Sequence, residues 1–176
     1  SSEQMQLYIR TLIDISRAAT GYQLNVEDID LPAYIKQLRE QIDALCQTKK
    51  IGLQVEIEHL PAVLSVDKLL LERAIMNVVN NALDYSPQDS SISISMMGDN
   101  GSLKISVTDA GPGFSQEDLL HAEEQFYMAD RSRSSNLHFG MGLFITKSIV
   151  QQHDGQLILS NSEITGGAQV TISIPY

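Results

Sequence analysis

Apolar positions recur at intervals of three and four along several stretches of the chain, and each such stretch predicts an amphipathic helix. In residues 3–19 the series is Met5, Leu7, Tyr8, Ile9, Leu12, Ile13, Ile15 and Ala19, with Gly21 as its stop. A second series, Ile35, Leu38, Ile42 and Leu45, follows Asp30 and Pro32, residue types suited to a helix start, and runs to Lys49 and Lys50 with Gly52 as its end. Asp67 predicts the cap of a third and longer helix through Leu69, Leu70, Ala74, Ile75, Val78, Val79 and Ala82. Helical spacing returns in a short segment, Glu117 to Glu124, and again from Gly142 to His153. Elsewhere the period is two. Leu53 to Glu58, Val63 to Val66, Ile92 to Met96, Leu103 to Val107, Leu157 to Ser160 and Gln169 to Ile174 read as strands, and Gly98-Asp99-Asn100-Gly101 joins two of them as a hairpin. Periodicity disappears from Met128 to His138, which predicts a loop. The expected fold is an α/β two-layer sandwich, a mixed and mostly antiparallel sheet with helices on one face, preceded by a helical segment.

Composition narrows the classes of function. At 176 residues and 43% hydrophobic content, with mean hydropathy of -0.08, the chain has the size and balance of one globular domain with an appendage. Its net charge of -10 argues against non-specific binding to nucleic acid or to an anionic membrane surface. Any polyanionic ligand must be held by local geometry and a metal ion. Cys46 is the single cysteine, so neither an internal disulfide nor a cysteine-based zinc site is expected. With no apolar run of about 18 residues and no signal-peptide pattern, a soluble, cytoplasmic piece of chain is expected.

Three stretches carry candidate chemistry. Asn77 and Asn81 lie four apart on the long predicted helix, so they share a face. Amide oxygens there suit a hard cation such as Mg²⁺, although two mid-helix asparagines alone are a weak signal. Asp109-Ala110-Gly111-Pro112-Gly113 follows a predicted strand. It reads either as an ordinary Asp-Gly turn or as a place where backbone approaches a ligand while a carboxylate accepts from an exocyclic amine. Gly140-Met141-Gly142 stands where the last predicted helix opens, and free amides at a helix start favour phosphate.

The order of these stretches resembles the catalytic ATP-binding domain of sensor histidine kinases: the Asn pair, DAGPGF, an aromatic and basic segment, FGMGLFITKSIVQQHDG, then Gly166-Gly167 before the last strand. The resemblance covers residues 31–176, with 22–30 as a linker and 1–21 similar to the end of the helical dimerisation and phosphoacceptor domain. It implies a Bergerat nucleotide fold binding ATP with Mg²⁺. Asn81 would be a Mg²⁺ ligand, Asn77 would lie beside metal and phosphates, and Tyr85 would line the nucleotide. Asp109 would recognise the adenine amino group, with Gly111 and Gly113 shaping the pocket. Phe126 would anchor a lid whose Arg131 and Arg133 reach phosphates, and Gly140, Met141, Gly142 and Leu143 would cradle the phosphates. The implied partners are the protein's own dimerisation domain in a homodimer and a response-regulator receiver domain, with no nucleic acid. The implied parent is anchored in the inner or plasma membrane.

The chain departs from that pattern at Asp84, where Lys or Arg is usual, and at Met128, His138 and Ala168. In the related ATPases a Glu activates water at the position matching Asn77, and an amide cannot act as that base. Transfer to a protein nucleophile is therefore expected rather than hydrolysis. None of His59, His121, His138 and His153 has the context of the family's acceptor, which is expected upstream of Ser1, and His153 reads as a structural residue at a helix end. The alternatives are a nucleotide-sensing or scaffolding module without catalysis, an ATPase, and a serine kinase.

Overall fold

A computed structural model describes residues 23–121 and 137–176, together with Ser2, Glu3, Gln6, Ile9, Arg10 and Ile13; at 121 and 137–141 the description is of the backbone. Most of the helix expected over residues 3–19 and the lid residues Phe126, Met128, Arg131 and Arg133 lie outside the described residues. The described elements are β1 (Glu27–Asp30), α1 (Leu31–Lys49), β2 (Gly52–Glu58), β3 (Val63–Val66), α2 (Lys68–Tyr85), β4 (Ser91–Asp99), β5 (Ser102–Thr108), α3 (Gln116–His121), α4 (Leu137–Gln152), β6 (Gln156–Asn161) and β7 (Ala168–Pro175).

Five strands form one sheet in the order β2-β4-β5-β7-β6, with β2 parallel to β4 and every other pair antiparallel. Strict alternation along β4, β5 and β7 sends Ile92, Ile94, Met96, Leu103, Ile105, Val107, Val170, Ile172 and Ile174 into the core. The opposite face carries hydroxyls, as where Ser106 and Thr171 pair across strands at 2.8 Å. The helices cover the apolar face: Leu38 and Ile42 from α1, Leu71, Ile75 and Val79 from α2, and Ile145, Ile149 and Val150 from α4 are all buried. This is the expected two-layer sandwich, and burial on one face only explains the period of two in its strands.

The caps follow from local chemistry. Asp30 accepts from the Ala33 amide at 3.1 Å, and Asp67 Oδ1 accepts from the Leu70 amide at 3.2 Å, so each satisfies a free donor at a helix start. Asn100 and Gly101 have φ of 51° and 79°, the pairing that a two-residue hairpin turn requires.

Several boundaries differ from the expectation. α1 is ended not by Gly52 but by Lys50, which adopts the left-handed conformation at φ 57° and returns its amide to Gln47 and Cys46 carbonyls. Gly52 instead opens β2, where a Cβ would meet Ser91 Oγ at 2.5 Å. Part of the expected linker, Glu27–Asp30, is a strand paired antiparallel with β3. α3 covers Gln116–His121, and the remainder of the segment expected to be helical lies outside the described residues. α4 begins at Leu137, so Gly140-Met141-Gly142 lies within the helix and does not open it. The amides left free by helix geometry are then those of residues 137–140, which include Gly140 but not Gly142.

Candidate functional site

β5 delivers Asp109 to the end of the sheet, where its side chain is buried. The Asp109 amide donates to the Ala168 carbonyl at 2.9 Å, and Oδ1 accepts from the amides of Ala168 and Gly111, both at 2.9 Å. No described residue donates to Oδ2, so one carboxylate oxygen is pinned and the other is left to accept from a ligand. Burial pushes this carboxyl above its usual range, and the two amide bonds act in the opposite direction without cancelling the effect. Ala168 meets Asp109 through its backbone, so that contact does not depend on the side chain at 168.

The following loop is held close by missing side chains and by tethers. A Cβ at Gly111 would lie 2.6 Å from the Tyr85 carbonyl oxygen at the end of α2, and one at Gly113, whose φ is 81°, would lie 2.6 Å from the Gly166 carbonyl oxygen. At Gly167 a Cβ would fall 1.9 Å from the Asp109 carbonyl oxygen and 2.7 Å from Oδ1. Asn161, at the end of β6, accepts from the Phe114 amide at 2.7 Å and donates to the Phe114 carbonyl at 2.9 Å. Ser86 Oγ accepts from the Ala110 amide at 3.1 Å, and Thr165 donates its hydroxyl to the Asp109 carbonyl at 3.3 Å. Asn161, Ser86 and Thr165 have no signature in the sequence, because their partners lie 47, 24 and 56 residues away.

α2 contributes the amides. Asn77 is half-buried and Asn81 is buried at 5% exposure, with its Nδ2 lacking any hydrogen-bond partner among the described residues. An orphaned buried amide costs about 1–3 kcal/mol. The side facing it is α4, where a Cβ built on Gly142 would lie 3.7 Å from Nδ2 and 4.0 Å from Oδ1. A larger residue at 142 would cover the Asn81 amide. Tyr85, half-buried, sits against Gly111, and Leu143 is buried in the core. Asp84 is drawn to Lys49 at the end of α1, Oδ1 to Nζ 2.8 Å, in an exposed pair that offsets its charge.

The structure thus brings together Asn81, Gly142, Tyr85, Asp109, Gly111 and Gly113 around the ends of α2, β5 and α4. Among the described residues no cluster of His, Cys, Asp or Glu is arranged to hold a metal, and no helix is long and apolar enough to cross a membrane. The arrangement offers a buried carboxylate with one free acceptor at one end and an unsatisfied amide beside a glycine helix at the other.

A family model described as histidine kinase-, DNA gyrase B- and HSP90-like ATPase matches residues 66–176. Sensor histidine kinase SpaK of Bacillus subtilis is 35% identical over 175 residues, which are 99% of this chain and 38% of that protein. The chain spans less than half the length of this and other curated relatives. Among solved structures, Acinetobacter baumannii histidine kinase AdeS aligns with a TM-score of 0.75 at 20% identity over 99% of this chain and 79% of that one. Full-length ShkA in complex with AMPPNP aligns with a TM-score of 0.79 at 18% identity over 98% of this chain and 36% of that one. The chain therefore belongs to the histidine kinase-, DNA gyrase B- and HSP90-like ATPase family and has its Bergerat fold.

Proposed function

We propose that this chain is the catalytic domain of a sensor histidine kinase, binding Mg-ATP in the cleft between α2, α4 and the Asp109 loop. The observation that carries the reading is the Asp109 carboxylate, buried, pinned through Oδ1 and without a donor to Oδ2 among the described residues. An acceptor in that state selects a ligand that brings its own donor, as the exocyclic amine of adenine does. The AMPPNP bound by ShkA, a protein of the same fold, agrees with an adenine nucleotide.

The phosphate end falls to α2 and α4. The two ends of the Asn81 amide interchange by a half-turn, so the buried side chain can offer an oxygen to Mg²⁺ or a donor to phosphate. Asn77 on the same helix face and the first-turn amides of α4 complete the set, and Arg131 and Arg133 are assigned to the lid. Bound Mg²⁺ would supply charge neutralisation on the triphosphate. Asn77 offers no base to activate water, so the chain's residues orient the nucleotide for attack by another nucleophile. In that transfer the γ-phosphoryl group leaves ADP and forms a P–N bond to an imidazole nitrogen. His153 is not the acceptor: Nε2 accepts from the Asp67 amide at 3.0 Å and Nδ1 lies 2.8 Å from the Ile149 carbonyl oxygen. The acceptor is a histidine on the first helix of the parent's dimerisation domain; residues 1–21 belong to the end of that domain, in its second helix, and are joined to the catalytic domain through 22–30, of which Glu27–Asp30 is the strand β1. The parent is a membrane-anchored homodimer with this domain on its cytoplasmic side, and it passes phosphate to a receiver domain.

Calorimetric titration of the chain with ATP tests the reading. Micromolar binding that requires Mg²⁺ is expected, and absence of binding would refute it. With γ-labelled ATP, acid-labile label is expected on a parent that includes the dimerisation helix and not on these 176 residues alone.

A further inference from the structure

Six polar or charged side chains are buried among the described residues, and four of them, Asp67, Asn81, Thr146 and His153, lie along the seam between α2 and α4. The two helices run antiparallel there, and the seam has three rungs. At one end the Asp67 amide donates to His153 Nε2 at 3.0 Å, while the ring nitrogen Nδ1 faces the Ile149 carbonyl at 2.8 Å. Because Nε2 accepts, Nδ1 carries the ring proton and donates it to that carbonyl. In the middle the Thr146 hydroxyl lies 2.9 Å from the Gly142 carbonyl oxygen and 3.4 Å from that of Ala74. At the far end Gly142 faces the Asn81 amide.

Asp67 has a further bond. Its Oδ1 caps α2 at Leu70, and its Oδ2 accepts from the amide of Asn25 at 3.0 Å, in the segment just before β1. One buried aspartate therefore ties three things: the chain entering the domain, the start of the helix bearing Asn77 and Asn81, and the end of the helix bearing Gly140 and Gly142. We infer that Asp67 is a positioning residue for the nucleotide site, a brace that sets the gap between Asn81 and Gly142 and couples that gap to the entering segment through Asn25. The part concerning nucleotide rests on the function proposed above.

The lever is long enough to matter. Fourteen residues of helix separate Asp67 from Asn81, about 21 Å at the helical rise, so a tilt of about 5° at the brace displaces the far end by roughly 2 Å. Displacements of about 1 Å in a phosphoryl-transfer site are costly. Coupling is reciprocal, so whatever the Asn25 bond does to nucleotide affinity, nucleotide does to that bond.

Asn25→Pro removes the backbone donor to Asp67 and restrains the backbone at 24 and 25, whereas Asn25→Ala retains the donor, and position 25 is exposed, outside the core. In the nucleotide-free chain, Asn25→Pro is expected to shift the NMR signals of the Gly142 amide and the Asn81 side-chain amide, and Asn25→Ala to leave them in place. Unshifted signals in Asn25→Pro would overturn the brace. That measurement needs no nucleotide, so a chain that failed to bind Mg-ATP would refute the proposed function and leave this result standing. With Mg-ATP, Asn25→Pro is expected to weaken binding at least threefold relative to Asn25→Ala, and a smaller difference would remove the coupling to the site. His153→Leu, which lacks the acceptor, is expected to weaken binding more than His153→Gln, which keeps one; equal affinities would overturn the role of the Asp67 to His153 rung.

Discussion

Asp109 is a carboxylate that folding has to desolvate, and that burial raises its pKa against the opposing pull of the Gly111 and Ala168 amides. Between the unfolded and folded pKa values the native state holds the proton more tightly. This residue's contribution to stability therefore falls as pH rises through that interval and is at its best below it. Nucleotide binding runs the other way, because protonation turns one carboxyl oxygen into a donor and weakens the acceptor that an exocyclic amine requires. Affinity for Mg-ATP is expected to weaken on acidification at a higher pH than an ordinary exposed carboxylate would dictate, as a titration series across pH would show. Asp109→Asn removes the charge while keeping an oxygen for the Ala168 and Gly111 amides. It is expected to melt no lower than the wild type at neutral pH, to lose the pH dependence of stability that Asp109 contributes, and to lose Mg-ATP binding at least tenfold. Wild-type affinity in this variant would remove Asp109 from the site. Asn81 presents a similar conflict, since its Nδ2, without a partner among the described residues, costs stability and is useful only when a ligand satisfies it. Asn81→Ala is expected to change the melting temperature little and to abolish the Mg²⁺ dependence of ATP affinity, as calorimetry with and without the metal would show.

At the scale of elements, what was legible in the sequence was what depends on near neighbours. Asp30 and Asp67 announce their helices because a cap bonds three residues onward, and the strands of the main sheet show themselves because one face is buried and the other is not. β1 lies within the expected linker because its run Glu27-Asp28-Ile29-Asp30 buries only Ile29, and it becomes a strand by pairing with residues more than thirty positions away. The start of α4 differs from the expectation for a related reason: two glycines resemble a boundary, yet the helix extends through them to Leu137. Of the site, Asp109, Gly111, Gly113 and Asn81 could be picked out by type and order, but the tethers that shape the loop could not. Asn161 shows what was hidden. Its amide engages both backbone groups of Phe114, in the manner of a strand neighbour. Asn161→Ala is expected to cost about 1–3 kcal/mol, the price of leaving half-buried backbone groups unpaired, and to weaken Mg-ATP several-fold. Gly167→Ala is expected to be at least as damaging, because the new methyl meets the backbone and carboxylate of Asp109 rather than a flexible side chain. Thermal melts and titrations of the two variants check both expectations; an Asn161→Ala protein with unchanged affinity would mean the loop keeps its shape without the tether.

For the whole molecule the governing quantity is a net charge of -10 on a chain whose nucleotide site takes a polyanion. The sign of the bulk field and the chemistry of the cleft are opposed, and distance separates them. Acidic residues such as Glu56, Glu58, Asp84 and Glu163 are exposed, where salt screens them over about 10 Å at 0.1 M. Within the cleft the partners are dipoles and amides at contact distance, which added salt screens far less. The two ranges make different kinetic demands, since the far field acts on the approach of the nucleotide and the near groups act on its departure. Raising ionic strength from about 0.01 M to about 0.1 M shortens the screening length from about 30 Å to about 10 Å and so lowers the repulsion felt on approach. The association rate of Mg-ATP is therefore expected to rise with salt over that range while the dissociation rate changes little, giving tighter binding at the higher ionic strength. Stopped-flow measurement with a fluorescent ATP analogue separates the two rates. An association rate that falls with salt would show that local positive charge, with Arg131 and Arg133 as the first residues to substitute, overrides the field of the rest of the domain.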